Sequence, residues 1–146
     1  MSPTIQEFIN CKRLAIVGVS RNSRKFGNAA YKELLERGYE VFAVHPEEKE
    51  IAGVACFPNL TSLKGRVDGV VVSIPSKHVI PVLEEAASMN LKNVWLQQGA
   101  ESKEVIATAE RLGLNFVSGK CILMYALPVK SIHRIHRGIM KFFGKL

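Results

Sequence analysis

The sequence lacks the features that would place the chain in a membrane or outside the cell. A transmembrane helix needs roughly 18 apolar residues in a row, and no run in the chain reaches that length. The opening residues, MSPTIQEF, contain no basic stretch followed by an apolar core, so we expect no secretory signal. The three cysteines are odd in number and widely spaced, which fits a reduced cytoplasmic protein better than a disulfide framework or a zinc ribbon.

Acidic residues are scarce in two respects. Asp68 is the only aspartate, so chemistry built on clustered aspartates has little material here. From residue 111 onward the chain contains no acid, and its basic residues there are Arg111, Lys120, Lys130, Arg134, Arg137, Lys141 and Lys145. The formal net charge of +7 therefore resides in the last quarter of the chain. A charge placed so locally argues against an evenly basic nucleic-acid coat, and we expect no specific nucleic-acid partner.

The sequence does contain a regular alternation of apolar runs and amphipathic segments. Buried strands are predicted over 13–19, 39–44, 69–74, 93–97 and 114–118, with a further short strand near 54–57. Helices are predicted between them over 28–37, 77–90 and 101–112, the second with Ser76 as its N-cap. Strands that are apolar on both faces need cover on both sides. We therefore predict a doubly wound α/β fold with a mainly parallel sheet of about five strands.

The chain is expected to form one domain over 1–146, with a core over about 11–121 and a basic amphipathic helix over about 129–143. The apolar stripe of that helix would consist of Val129, Ile132, Ile135, Ile139, Phe142 and Phe143. Docking of this stripe on the body, or on a second copy of the chain, is the favoured interpretation. An anionic membrane surface and nucleic acid are the alternatives. His133 and His136 are three residues apart, but no third ligand lies nearby in sequence, so we expect no metal site.

The segment after the first strand combines a glycine with clustered positive charge. Gly18 permits a tight turn, and Ser20 offers a hydroxyl. Positive charge comes from Arg21, Arg24 and Lys25. Ligands of doubly wound sheets bind beyond the carboxyl ends of the strands, and the N-terminus of a helix attracts anions. We predict a phosphate or pyrophosphate site here; the alternative is a solvated loop with ordinary surface charges.

The dinucleotide-binding motif G-x-G-x-x-G is incomplete in this turn. Over 18–23 only the first glycine is retained, and the acidic residue that would hold a ribose hydroxyl is missing near 44–46. Ordinary NAD binding is therefore disfavoured. A cationic turn suits a ligand that carries more phosphate charge, such as NADP or coenzyme A.

Five pieces of the sequence carry a family resemblance: IVGVSRNSRKFG (16–27), GYEVFAVHP (38–46), VVVSIP (70–75), VWLQQG (94–99) and GLNFVSGKC (113–121). Together they resemble the small single-domain CoA-binding proteins and the CoA-binding domain of the succinyl-CoA synthetase alpha subunit. The resemblance implies a Rossmann-like fold that binds coenzyme A or an acyl-CoA. It implies that the phosphates contact Val19, Ser20, Arg21, Arg24 and Lys25, that Pro46 lies near the nucleotide, and that the remaining lining is Ile74, Pro75, Leu96, Gln97 and Gln98.

The chain departs from the family pattern in two ways. His45 stands where the family often has Asn or Thr; it either contacts the ligand or simply ends the strand. The later domain that carries the catalytic phosphohistidine of the synthetase has no counterpart here, so a ligase reaction is not implied. We therefore expect a module that binds a small nucleotide ligand without its own catalysis.

An enzymatic alternative rests on Cys121, which follows the fifth strand at the ligand end. Lys120 and the basic turn would favour its thiolate, and a mixed disulfide with coenzyme A is the reaction to consider. The structural alternative is that Cys121 is a small buried packing residue. We expect Cys11 and Cys56 to be unreactive. The other enzymatic hypothesis is that the chain is an NADP-dependent oxidoreductase. His78 is expected on the surface.

Overall fold

The computed structural model describes residues 3–22 and 24–128, and the helix predicted over 129–143 lies outside this range. The described part contains four α-helices: α1 (Pro3–Ile9), α2 (Phe26–Glu36), α3 (Val79–Ser88) and α4 (Lys103–Arg111). Its strands are β1 (Arg13–Val17), β2 (Glu40–Val44), β3 (Glu50–Ile51), β4 (Val54–Phe57), β5 (Gly69–Val72), β6 (Asn93–Gln97) and β7 (Asn115–Lys120). Short 3₁₀ turns cover Thr61–Leu63, Ser76–His78 and Ile122–Met124.

The strands form one sheet in the order β3-β4-β2-β1-β5-β6-β7. All neighbouring strands are parallel except β3 and β4, which pair antiparallel. The chain runs outward from β1 through β2 to β4 and then crosses to β5 on the other side of β1. The strand order therefore reverses between β1 and β5. Val17 is in register with both Val44 of β2 and Val72 of β5, so three carboxyl ends come level at this point.

Alternation along the strands builds one apolar core on each face of the sheet. In β1, Ala15 and Val17 pack with α3 and α4, whereas Leu14 and Ile16 pack with α1 and α2. In β6, Trp95 points to the second face and meets Phe8 of α1 at 5.3 Å between ring centroids. Because both faces of the central strands β1, β5 and β6 are covered, these strands are mostly apolar, and the predicted doubly wound α/β class is confirmed.

The structure adds elements to the predicted five strands and corrects one cap. β4 matches the short strand expected near 54–57, but the two-residue β3 and the helix α1 were not predicted. α1 buries only Ile5, Phe8 and Ile9, so its periodic signal is brief. The prediction that Ser76 is the N-cap of α3 was wrong, because Ser76 begins a 3₁₀ turn that precedes the helix. Of the residues that the structure describes, none forms a helix both long and apolar enough to cross a bilayer.

Candidate functional site

A cleft of about 550 Å³ opens at the carboxyl ends of β1, β2 and β5. One wall is the turn that joins β1 to α2, and another is the segment that follows β5 and leads into α3. The loop after β4, with Pro58, Asn59 and Leu60, forms a third wall. Open α/β sheets bind ligands at the point where the strand order reverses, and the cleft lies at that point.

Two glycines allow the backbone segments around the cleft to approach closely. Gly18 has φ +137°, and a Cβ placed there would overlap the carbonyl group of Ser73, just beyond β5. Gly27 lies in the first turn of α2, and a Cβ placed there would overlap the carbonyl of Gly18 and lie 2.9 Å from the amide nitrogen of Val19. In the dinucleotide motif, the third glycine permits this close packing between helix and strand. Gly27 fills that role here, after a longer turn than the motif has.

Hydrogen bonds within the first turn fix its shape. The N–H of Ser20 donates to Oδ1 of Asn28 (3.0 Å), and Nδ2 of Asn28 donates to the carbonyl of Ser20 (2.8 Å). The hydroxyl of Ser20 accepts from the N–H of Asn22 at 3.1 Å, so it belongs to the turn itself. Sequence reasoning missed Asn28, although an Asn that follows a turn often bonds to its backbone.

The three predicted basic residues of this turn have different surroundings. Lys25 lines the cleft and is the N-cap residue of α2, and its own side chain makes no capping hydrogen bond. Arg21 lies 3.4 Å from Glu48 and lines a separate depression of about 300 Å³ together with Glu48 and Glu50. Arg24 is exposed and lies outside the lining of the cleft. The charge that faces the cleft from this turn is therefore that of Lys25.

The wall opposite the first turn is held by side-chain to backbone hydrogen bonds. Oε2 of Glu85, on α3, accepts from the N–H (2.9 Å) and the hydroxyl (2.7 Å) of Thr61. Oδ1 of Asn59 accepts from the N–H of Ser62 at 2.9 Å. The bonds of Glu85 tie the loop after β4 to α3, and that of Asn59 holds the loop itself. Glu85 is the one acidic residue among those lining the cleft, and its carboxylate is engaged by Thr61.

The cleft unites most, but not all, of the residues predicted for the site. Those that line it are Gly18, Val19, Ser20, Lys25, Pro46, Ile74 and Pro75. Leu96 is fully buried in the core, Gln98 is exposed, and Oε1 of Gln97 accepts the N–H of Ile122 at 3.0 Å. None of these three lines the cleft, because β5 separates β6 from the point where the strand order reverses.

Several lining residues were not assigned to a site from the sequence. They are Val17, Val44, Pro58, Asn59, Leu60, Ser73, Val82 and Glu85, together with His78, which was expected on the surface. His78 is exposed, as predicted, but it also borders the cleft. The adjacent Pro58 and Asn59, which are typical turn residues, were a usable signal. Only the sheet order, however, shows that their loop reaches the end of β1.

The cysteines lie away from the cleft. Cys121 follows β7, two strands from β5, which is a separation of roughly 10 Å across a sheet. Burial, reinforced by the charge of Asp68, raises the pKa of Cys11 to about 11. Burial also raises the pKa of Cys56. Within 3–22 and 24–128, no three His, Cys, Asp or Glu side chains are grouped so that they would hold a metal ion.

The fold and the cleft define a doubly wound α/β domain with a nucleotide-sized site at its switch point. The family model described as "CoA binding domain" matches residues 12–126. The chain therefore belongs to the CoA-binding domain family, and the resemblance inferred from its five sequence pieces is confirmed. This match favours coenzyme A over the NADP alternative.

Individual relatives are of two sizes. The chain is 28% identical over 123 residues to acetate–CoA ligase [ADP-forming] I of Archaeoglobus fulgidus, covering 77% of this chain and 18% of the ligase. It is 27% identical over 126 residues to the alpha subunit of acetate–CoA ligase [ADP-forming] II of Pyrococcus furiosus, covering 79% of this chain and 28% of that subunit. A solved structure of a conserved hypothetical protein from Pyrococcus furiosus is 37% identical, with a TM-score of 0.73, and the match covers 77% of this chain and 97% of that one.

Proposed function

We propose that the chain binds coenzyme A or an acyl-CoA in the cleft at the ends of β1, β2 and β5, without catalysing a reaction of its own. The observation that carries this proposal is the coincidence of two features. The matched CoA-binding region contains the first turn, and that turn forms a wall of the cleft at the switch point. The relatives named as ligases are much longer than the matched region, so their reaction is not part of the proposal.

In this proposal the pyrophosphate of the ligand lies against the turn over 20–27. The N–H of Asn28 bonds to the carbonyl of Lys25 at 3.1 Å, but the first amides of α2, at Phe26 and Gly27, have no acceptor within the helix, and the N-cap residue Lys25 makes no side-chain cap bond. These donors and the positive end of the helix dipole suit an anion, and Lys25 adds a full charge beside them. Asn28 holds the turn in this shape before the ligand arrives.

The nucleotide portion would lie over the strand ends. Most of the cleft wall there is apolar, from Val17, Val44, Pro46, Pro58, Leu60, Ile74 and Val82. Binding sites for small molecules combine such apolar walls with a few polar groups that set orientation. A flat base on apolar side chains, with phosphates at the helix start, satisfies both requirements.

Isothermal titration calorimetry with coenzyme A tests the proposal. The wild-type chain should bind, and Lys25→Ala should weaken binding by about tenfold, or about 1.4 kcal/mol, because a charge beside the phosphates is lost. Lys103→Ala is the matched control. Lys103 is an exposed lysine at the start of α4, and it lies outside the cleft lining. Unlike α2, α4 is capped by the side chain of its N-cap residue, Ser102. This control should bind like the wild type.

The same titration separates the alternatives. If the chain binds NADPH in preference to coenzyme A, the oxidoreductase hypothesis replaces the proposal. If the wild-type chain does not bind coenzyme A, the proposal is wrong. A loss of affinity in Lys103→Ala equal to that in Lys25→Ala would show that general surface charge, not the first turn, attracts the ligand.

A further inference from the structure

We infer that His45 makes the cleft selective for a nucleotide that carries a phosphate on its ribose. The inference rests on the proposed function and adds a specificity-determining residue to the same site. His45 directly follows β2 and lines the cleft. In doubly wound nucleotide-binding folds, the residue at the end of the second strand contacts the ribose, and an acidic side chain there accepts hydrogen bonds from the free hydroxyls.

The imidazole of His45 is held in one orientation by the backbone that follows it. Its Nδ1 accepts the N–H groups of Glu47 and Glu48, both at 3.0 Å. A ring nitrogen that accepts hydrogen bonds carries no proton, so the neutral ring has its proton on Nε2. Nε2 diverges from Nδ1 and is not occupied by these amides. His45 therefore offers a fixed N–H donor at a position where other folds place an acceptor.

The acidic residues that follow His45, which are Glu47, Glu48 and Glu50, do not belong to the cleft lining. Glu48 lies on Arg21 at 3.4 Å, and both line the smaller depression with Glu50. The charged or titratable residues that line the cleft are Lys25, His45, His78 and Glu85. Glu85 is on α3, against the loop after β4, and its carboxylate accepts two hydrogen bonds from Thr61. The full charges of the cleft lining are therefore one positive, on Lys25, and one negative, on Glu85, whose carboxylate is engaged by Thr61.

A fixed donor distinguishes a phosphate from a hydroxyl. A hydrogen bond to an ionised oxygen is roughly twice as strong as one between neutral groups. His45 should therefore add affinity for a ribose that carries a phosphate and little for one that carries only hydroxyls. Coenzyme A and 3′-dephospho-coenzyme A differ by that one group, so they are the matched pair of probes.

The experiment measures both dissociation constants for the wild type, His45→Asn and His45→Asp at one pH and salt concentration. Asn and Asp keep a side-chain oxygen that accepts the following N–H groups, so the turn retains its bonds. Thermal unfolding of each variant checks that the fold is intact. The wild type should prefer coenzyme A by about tenfold, as expected for one charge-assisted hydrogen bond.

In His45→Asn this preference should largely disappear through weaker binding of coenzyme A, with the affinity for the dephospho form unchanged. In His45→Asp the preference should reverse, because a carboxylate accepts from ribose hydroxyls and repels a phosphate. An equal preference in all three proteins overturns the role of His45 and leaves the proposed function standing. Failure of both ligands to bind the wild type overturns the proposed function and this inference with it.

Discussion

The turn after β1 and the turn after β6 share a local pattern, but they differ in how the helix that follows is capped. The turn after β1 and the turn after β6 both follow a buried parallel strand, contain a glycine with positive φ and lead into a helix. After β6, the protein's own side chains engage the backbone amides: Glu101 accepts the N–H of Gly99 at 3.0 Å, and Ser102 accepts that of Val105 at 3.1 Å. In the first turn, side chains engage the amides of Ser20, Asn22 and Arg24, but the N-cap residue Lys25 makes no side-chain bond to the start of α2. The two turns therefore differ at the helix start: Ser102 caps α4, whereas the N-cap side chain of α2 leaves the first helical amides to the proposed ligand.

The glycines of the two turns also differ in the space that surrounds them. A Cβ on Gly99 would have nothing within 4 Å, so only its φ of +97° favours glycine there. Around the first turn, added Cβ atoms would overlap backbone, of Ser73 for Gly18 and of Gly18 for Gly27. Of these two turns, only the turn at the cleft packs backbone against backbone. The two turns thus share a local pattern but differ in packing and in the capping of the helix that follows.

The largest expected effect comes from Gly27→Ala. The added methyl group overlaps the carbonyl of Gly18 and must push α2 away from the first turn. Overpacking of this kind costs about 1–3 kcal/mol of unfolding free energy, and displacement of the turn should lower the affinity for coenzyme A more than about tenfold, a loss of over about 1.4 kcal/mol. Chemical denaturation and calorimetry measure the two effects.

Gly99→Ala is the matched control for that substitution. It strains only a positive φ at an open surface, so we expect a stability loss of about 1 kcal/mol. Its affinity for coenzyme A should equal that of the wild type. Equal losses of affinity in the two glycine variants would remove the distinction between the turns.

Ser102→Ala tests the turn after β6 by removing the side chain that caps α4. Loss of an N-cap side chain costs about 1 kcal/mol of unfolding free energy, because the N–H of Val105 loses its acceptor. The affinity for coenzyme A should not change, since α4 starts outside the cleft. A changed affinity would mean that this turn also contributes to the site.

The smallest effect is expected at the amino ends of the strands, away from the cleft. The guanidinium of Arg13 donates to Asp68 at 2.8 Å and lowers the pKa of that carboxyl below its usual value. Because the folded-state pKa lies below the unfolded one, the pair stabilises the fold above about pH 4 and loses this contribution as the pH falls through the folded-state pKa.

Both side chains are more than one-third exposed, so the contribution should be about 0–1 kcal/mol. Asp68→Asn should therefore reduce the stability slightly at neutral pH and hardly at all at low pH, as followed by denaturation at several pH values. A loss that grows as the pH falls would contradict the assigned sign. The affinity for coenzyme A at neutral pH should stay at the wild-type value.

The sheet could be predicted from the sequence because its strands are buried on both faces. A run such as that of β5 (Gly69–Val72), with every residue buried, leaves little choice of element. The helix α1 escaped prediction because three buried side chains in seven residues give too brief a pattern. The order of the strands, in contrast, was not predicted, because the rules for crossovers fix their handedness and leave several strand orders open.

Residue chemistry alone predicted the cleft lining only at the first turn, whereas Pro46, Ile74 and Pro75 came from the family resemblance. Gly18, Ser20 and Lys25 are near neighbours in sequence, and the cleft contains all three. Gln97 lies outside the cleft lining; its side chain is buried, and its Oε1 accepts the N–H of Ile122. Asn59 and Glu85 belong to distant segments that only the folded sheet brings to the same cleft.

The most direct test of the account is a crystal structure of the chain grown with coenzyme A. We expect the pyrophosphate at the start of α2, with its oxygens about 2.7–3.2 Å from the amides of Phe26 or Gly27 or from the ammonium of Lys25. Coenzyme A bound instead at the turn over 98–102, or a first turn that holds only solvent while the ligand is bound elsewhere, would contradict it.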